Sequence, residues 1–315
     1  MFRTIIKVGL LGWICLGFIG SLAAQEDLKV QLAFPSLNEW VNIRDVAISA
    51  DQKEVYFTVQ SAFSELSQIA WMSQSAGEFS DPQLMPFSDR FIDMEPFLSY
   101  DQKVLYFASN RPLDSSGEAK DFDIWCVKRK EIGAPWSEPI HLGPMVNSEN
   151  DEFYPSLSIN NNLYFTMSAP TGLGNDDIYF CAYEDGEYAK PVLLDTTVNT
   201  PGFEFNAFIS KNEDFLIYTR HNSPDGYGSG DLYISRRLEN GRWGQSQNLG
   251  EQINTSFMEY CPFYDEEQGV LYFTSRRKNT QLLKFENIEA YKNYIFGSDN
   301  GLSKLYKIQI KLHEK

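Results

Sequence analysis

The chain has 315 residues, 43 acidic and 27 basic side chains, three histidines, four cysteines and a formal charge of −16. That charge repels polyphosphate and speaks against a nucleic-acid partner, and 43% hydrophobic content excludes a disordered acidic tail. A folded acidic protein remains, long enough for two domains or for one all-β propeller.

Residues 1–24 read as a cleaved export signal. Arg3 and Lys7 precede a short apolar run over residues 8–19, and Ser21, Ala23 and Ala24 supply small residues for cleavage after Ala23 or Ala24. The run is shorter than the roughly 20 apolar residues of a membrane span. Cys15 has no small residue before it, so a lipid anchor is not expected. The expectation is a periplasmic or secreted chain whose mature part, residues 25–315, forms one domain without a transmembrane segment. Cys126, Cys181 and Cys261 remain, an odd number, each inside a predicted strand where a small buried apolar side chain is the ordinary role. His141, His221 and His313 form no arrangement that would serve a thiol or a zinc ion.

A repeat organises the rest. Segment 93–99 (DMEPFLS) recurs at 152–158 (EFYPSLS), 204–210 (EFNAFIS) and 259–265 (EYCPFYD), with a weaker copy at 43–49 (IRDVAIS). Each copy is followed by a polar turn and an apolar strand carrying Tyr56-Phe57, Tyr106-Phe107, Tyr164-Phe165, Ile217-Tyr218 or Tyr272-Phe273. A third strand follows at Ile69, Asp123, Asp177, Asp231 and Lys304. A fourth element is expected to start at a Gly turn beside an aromatic: Gly77 with Phe79, Gly133 with Trp136, Gly186 with Tyr188, Gly241 with Trp243. The fifth unit lacks that element, and residues 28–34 supply a strand at the other end. Asn38 then precedes Ile43 by five residues, as Asn147, Asn199 and Asn254 precede Glu152, Glu204 and Glu259. The fold class is therefore all-β, a five-bladed β-propeller of four-stranded blades, with inner strands starting near 43, 93, 152, 204 and 259 and the ring closed by the N-terminal strand. One insertion breaks the pattern: residues 279–296 space Leu282, Phe285, Ile288, Tyr291, Tyr294 and Ile295 as an amphipathic helix, either packed on the propeller or capping the rim of a site.

The span from Asn147 to Glu152, the segments 155–158 (PSLS), 163–165 (LYF), 177–179 (DIY) and 241–243 (GRW), and 248–255 (NLGEQINT) resemble the WD-like propeller repeat of TolB-type proteins and of bacterial outer-membrane-associated proteins. The resemblance covers essentially all of the mature chain. It implies a binding or scaffolding module; in larger relatives the repeat accompanies an OmpA-type domain, for which no sequence is left over here.

Asp93, Glu152, Glu204 and Glu259 each start an inner strand and are expected near the channel mouth. Their mutual repulsion, about 0.4 kcal/mol per pair at roughly 10 Å in water, is tolerable when hydrated and demands cations when dry. Arg111, Arg220 and Arg276 follow the second strands and could form inter-blade salt bridges with these acids. Unpaired carboxylates would otherwise suit a hard ion, calcium being the candidate. The loops 114–117, 171–177 and 223–231 match no ion-binding motif, and tight turns account for Gly226, Gly228 and Gly230. Phe122 and Tyr227 are candidate stacking aromatics for sugars or peptides. The main reading is a monomeric, non-catalytic module that binds an envelope protein or a cell-wall or glycan polymer. The alternative is a glycosidase using Glu152, Glu204 or Glu259.

Overall fold

The computed structural model describes residues 29–114 and 117–312. The signal-like residues 1–24, Cys15 and His313 lie outside them. The five copies form five blades. Their inner strands are Asn42–Ile48, Asp93–Leu98, Glu152–Leu157, Glu204–Ile209 and Glu259–Asp265. Second strands are Glu54–Gln60, Val104–Ser109, Leu163–Met167, Phe215–His221 and Val270–Ser275, and third strands are Ser67–Ser75, Asp123–Lys128, Asp177–Cys181, Gly230–Arg236 and Lys304–Gln309. Each blade ends in a two-residue outer strand, and the fifth takes its outer strand, Gln31–Leu32, from the other end of the chain. Gln31 lies opposite Lys307 and Leu32 opposite Tyr306, so the ring closes as its sequence pattern indicates.

The Tyr-Phe pairs stitch blades together. Adjacent strand residues face opposite sides of a sheet, so Phe57 packs toward blade 5 among Phe34, Tyr272 and Leu305, whereas Tyr56 packs toward blade 2 among Leu105, Phe107 and Trp125. Burial on both faces leaves no polar alternation in these strands, which read as continuous apolar runs.

The Gly turns differ from expectation. They close small hairpins, such as Tyr183–Glu184 with Glu187–Tyr188, and the outer strands begin several residues later, at Gln83, Ile140, Val192 and Gln247. What fixes the outer edge is the asparagine of each repeat. The Ile178 amide donates to Asn199 Oδ1 at 2.8 Å, and Asn199 Nδ2 donates back to the Ile178 and Leu194 carbonyls at 3.0 Å. Asn147 and Asn254 make the same reciprocal pair with Ile124 and Leu232. The side-chain amide thus continues the ladder where backbone pairing stops. Asn38 departs from the pattern, since it offers its backbone carbonyl to Lys304 Nζ at 2.8 Å.

Gly228 answers a close approach and not a tight turn. A Cβ there would lie 2.3 Å from the carbonyl oxygens of both Phe257 and Thr255, where the loop lies against the segment entering the next blade. The insertion in blade 5 holds a shorter helix than its apolar spacing indicates, Ile288–Ile295. Asn287 starts it by accepting the Ala290 amide, so the preceding residues cannot join. None of the helix residues is buried and Leu282 is fully exposed, so the apolar row does not pack on the propeller.

Replacing Asn199 with Ala strands the buried amide of Ile178 and removes one of the two donors to its carbonyl, the other being the Leu194 amide at 3.1 Å, and urea denaturation should register a loss of about 2–4 kcal/mol. Asn38→Ala should stay within about 0.5 kcal/mol. Equal losses at the two positions would sink the ladder role.

Candidate functional site

The four inner-strand acids are each 0% exposed and engaged within their own blade. Arg111 Nη2 donates to both oxygens of Asp93 at 2.7 and 2.8 Å and to the Phe87 carbonyl. Glu152 has no arginine and accepts the Ser148 amide at 3.0 Å together with the Ser148 hydroxyl. Glu204 accepts the amide and hydroxyl of Thr200, both at 2.7 Å, with Arg220 Nε 3.1 Å away as an ion pair lacking hydrogen-bond alignment. Glu259 is held likewise by Thr255 and by Ser275. Its arginine is Arg277, 3.5 Å away, and not Arg276. The salt bridges are therefore intra-blade, clamping the end of the second strand to the segment that enters the blade. An arginine already stands beside three of the acids, Asp93, Glu204 and Glu259, in the place a calcium ion would take. The hydroxyl residue four positions before each glutamate, Ser148, Thr200 and Thr255, is the sequence signal of this bonding.

The channel is lined by other residues. Every inner strand carries a bulge whose central residue has positive φ: Asp45 (+54°), Glu95 (+62°), Tyr154 (+53°), Asn206 (+54°) and Cys261 (+52°). Their amides turn toward the preceding blade. Asp45, Glu95 and Asn206 donate to the hydroxyls of Thr274, Thr58 and Thr166 at 3.0 to 3.1 Å. Blade 2 has Ala108 at the equivalent place, and there the Tyr154 amide donates to Glu95 Oε2 at 2.8 Å. Thr219, the fourth and last hydroxyl of the series, has no hydrogen-bond partner among the described residues.

Arg44 sits in the centre of these side chains. Its Nε donates to Asp45 at 2.8 Å, and its Nη2 reaches Glu95 at 2.5 Å and the Cys261 sulfur at 3.3 Å. Asp45, Glu95 and Cys261 bring their ligand atoms within 4.8 Å of one another, a spacing that could hold a metal ion, but the guanidinium already touches all three. Burial pushes the Glu95 carboxyl up to about 7, with Arg44 opposing and Asp45 reinforcing the rise. Cys126, Cys181 and Cys261 are all buried and unpaired, and burial raises each thiol.

Above this floor opens a funnel of about 360 Å³ on the face where the inner strands begin. Arg44, Glu95 and Asn206 form its base, and Asp151, Ser168 and Asp176 form a wall from blade 3. Phe122, one of the candidate stacking aromatics, lies in the lining with Phe153, Phe205 and Tyr260, whereas Tyr227 is exposed on a loop outside it. Asp176 is partly exposed, and its carboxyl is raised chiefly by burial, with the Ser168 hydrogen bond opposing and the charges of Asp151 and Asp177 adding. Asp151 Oδ1 accepts the Phe122 amide at 2.9 Å, and Ser168 bridges the pair by donating its amide to the Asp151 carbonyl and its hydroxyl to Asp176. Neither aspartate stood out in the sequence, because each lies one residue before the repeated acids Glu152 and Asp177. No helix among the described residues is long and apolar enough to cross a membrane.

No protein-family model matches the chain, and no curated protein matches it in sequence. Solved structures do. A protein described as a glycoside hydrolase superposes with a TM-score of 0.58 at 10% identity, over 92% of this chain and 94% of its own. The α-L-arabinofuranosidase PaAbf62A from Podospora anserina, solved with cellotriose, gives 0.51 at 12% identity over 86% and 91%. TolB from Acinetobacter baumannii gives 0.47 at 11% identity over 85% of this chain; the chain spans 55% of TolB's length, and nothing further rests on that likeness. The glycoside hydrolases correct the expectation of a non-catalytic envelope-binding module, because the architecture shared over most of both chains is one that enzymes acting on glycosidic bonds use. At this identity the likeness is one of fold, so the chemistry must come from the residues.

Two tests address the sealed acids. Asp93→Asn leaves Arg111 buried beside a neutral partner and should cost about 3–5 kcal/mol in denaturant unfolding; a loss below about 1 kcal/mol would remove Asp93 from the clamp. Glu152 concerns pH. Burial lifts its carboxyl from 4.5 to about 7, against the two Ser148 bonds. The folded state thus binds this proton more tightly than the unfolded state, and the stability it contributes is present below about pH 4.5 and lost as pH rises through about 7. Tm should be higher at pH 5.5 than at pH 8. Glu152→Gln should narrow that gap by raising Tm at pH 8 by about 2–4 °C, and an unchanged gap would contradict the assignment.

Proposed function

We propose that the chain is a glycoside hydrolase-like enzyme that cleaves a glycosidic bond in the funnel, with Asp176 as proton donor and Asp151 as the partner carboxylate. The observation that carries this reading is the pair itself: two carboxyl groups from one blade line an open, aromatic-lined depression, one of them raised by burial and by the other's charge. Glycoside cleavage needs one carboxylic acid that keeps its proton near neutrality and one carboxylate that stays ionised. Asp176 gives its proton to the leaving oxygen as the C–O bond breaks, and the electron pair leaves with the alcohol. A water molecule adds to the sugar carbon on which positive charge develops and gives its proton to the Asp151 carboxylate, and exchange with solvent then returns Asp151 to the anion and Asp176 to the acid. Phe122, Phe153 and Phe205 offer faces against which a sugar ring packs. Glu152, Glu204 and Glu259 are not given this role, because their bonds within the blade seal them from substrate. An exported enzyme would meet extracellular glycans, in keeping with the signal-like residues 1–24.

The test is a panel of aryl pyranosides and furanosides and of plant and bacterial polysaccharides, read by reducing-end release. Asp176→Asn should lower kcat by at least about 100-fold with an unchanged melting curve, and turnover by Asp176→Asn should recover with aryl substrates whose leaving group needs no proton. Absence of hydrolysis across the panel, or full activity in Asp176→Asn, would reject the reading.

A further inference from the structure

The funnel is not alone on its face. A second depression of about 410 Å³ adjoins it and shares Met258 and Arg276 with its lining; the remaining wall includes Ser229, Ser256, Lys278 and Asn300. The two form one cleft with Arg276 on the divide. Charge along the cleft is uneven. Blade 3 supplies the carboxylates Asp151 and Asp176, whereas blade 5 supplies Arg276 and Lys278.

These two cations are unlike the protein's carboxylate-paired arginines. Arg44, Arg111, Arg129 and Arg237 each hold a carboxylate at 2.5 to 2.9 Å. Arg276 gives Nε to the Ser303 hydroxyl at 3.2 Å and lies 5.6 Å from the Tyr260 ring centre, which orients its fork, while among the described residues no carboxylate reaches its Nη groups. Lys278 makes no hydrogen bond or ion pair among the described residues. In a chain with 16 more acidic than basic groups, two exposed cations left unpaired side by side in a cleft call for an anionic ligand. Arg276 lies beside the Tyr260 ring that Arg44 also approaches, at 5.2 Å.

We propose that the cleft takes an anionic glycan, with Arg276 and Lys278 binding the negative group of a sugar, a uronosyl carboxylate or a sulfate ester, next to the unit whose linkage sits at Asp151 and Asp176. This rests on the glycan reading of the funnel and adds its substrate class. A planar guanidinium grips a carboxylate or sulfate through two parallel N–H bonds, and the ammonium adds a second positive charge. The same acidic body repels polyanions at long range, so retention of one reports a local site.

The test is calorimetric binding of trigalacturonic acid, a carrageenan-derived sulfated oligosaccharide and neutral arabinotriose to the Asp176→Asn protein and to the same protein with Arg276→Gln and Lys278→Gln. An anionic ligand should bind and lose at least about tenfold in affinity in the cation-free variant, with less loss for Arg276→Lys. Which anionic ligand binds tells carboxylate from sulfate. Equal binding of arabinotriose to both proteins would overturn the anionic class while leaving the glycan reading intact. Binding of trigalacturonic acid with no hydrolysis of it by the wild-type chain would uphold the anionic site and count against the enzyme. Retention of none of the three would overturn the proposal and the glycan reading with it.

Discussion

The structure depends on one backbone constraint, the left-handed residue at the bulge of every inner strand. A positive φ in a residue with a Cβ costs on the order of 1–3 kcal/mol and persists only where the surroundings over-determine it. At three of the five blades the return is a buried hydrogen bond across the blade boundary, from the bulge amide to a threonine hydroxyl of the preceding second strand. Between blades the backbone pairs only at single points, such as the Glu204 amide with the Asp176 carbonyl at 2.8 Å, so these side-chain bonds and the two-sided aromatic pairs share in holding the angular register of the ring. Ala108 tests the logic within the molecule: where the hydroxyl is missing, the amide of Tyr154 is met by the Glu95 carboxylate, and the boundary keeps its hydrogen bond.

The same bulge explains why the channel is where chemistry could arise. It re-aims five side chains toward the axis without using them for the blade's own sheet. The repeat can then hold its structural residues constant while the axial position varies through Asp45, Glu95, Tyr154, Asn206 and Cys261. Arg44 binds three of these five, which sets a positive charge against the two carboxyl groups of an otherwise acidic, desolvated ring. Structural and chemical duties are thus divided by position: acids that repeat are sealed into blades, and acids that do not repeat face the funnel.

That division also marks what the sequence made legible. Blade number and ring closure follow from the spacing of repeated residues, since a repeat is itself the evidence of a stacked unit. The role of the repeated asparagines follows once the backbone they pair with is seen, and the intra-blade partners of Glu204 and Glu259 are foreshadowed by Thr200 and Thr255. Arg276 misleads because two arginines stand in succession and the strand's alternation decides which one turns inward: Arg277 enters the clamp and Arg276 faces the cleft. Asp151 and Asp176 are hidden for a related reason. Each is the non-repeating neighbour of a repeating acid, and only the fold reveals that the first of each pair points to solvent and the second to the interior.

Burial then sets what each carboxyl can do. Glu95 and Glu152 are both pushed up to about 7, largely by desolvation, yet neither is the best proton donor for a substrate. Glu152 has no path to a ligand, and Glu95 is locked by Arg44 and by the amides of Tyr154 and Asn206. A raised carboxyl matters for catalysis only where the proton has somewhere to go. Asp176 meets that condition with a single protein donor, Ser168, a neighbouring carboxylate to raise it and a partly open face toward the funnel. The groups that burial perturbs most therefore belong to the scaffold, and the accessible, less confined Asp176 is the one whose proton the cleft can use.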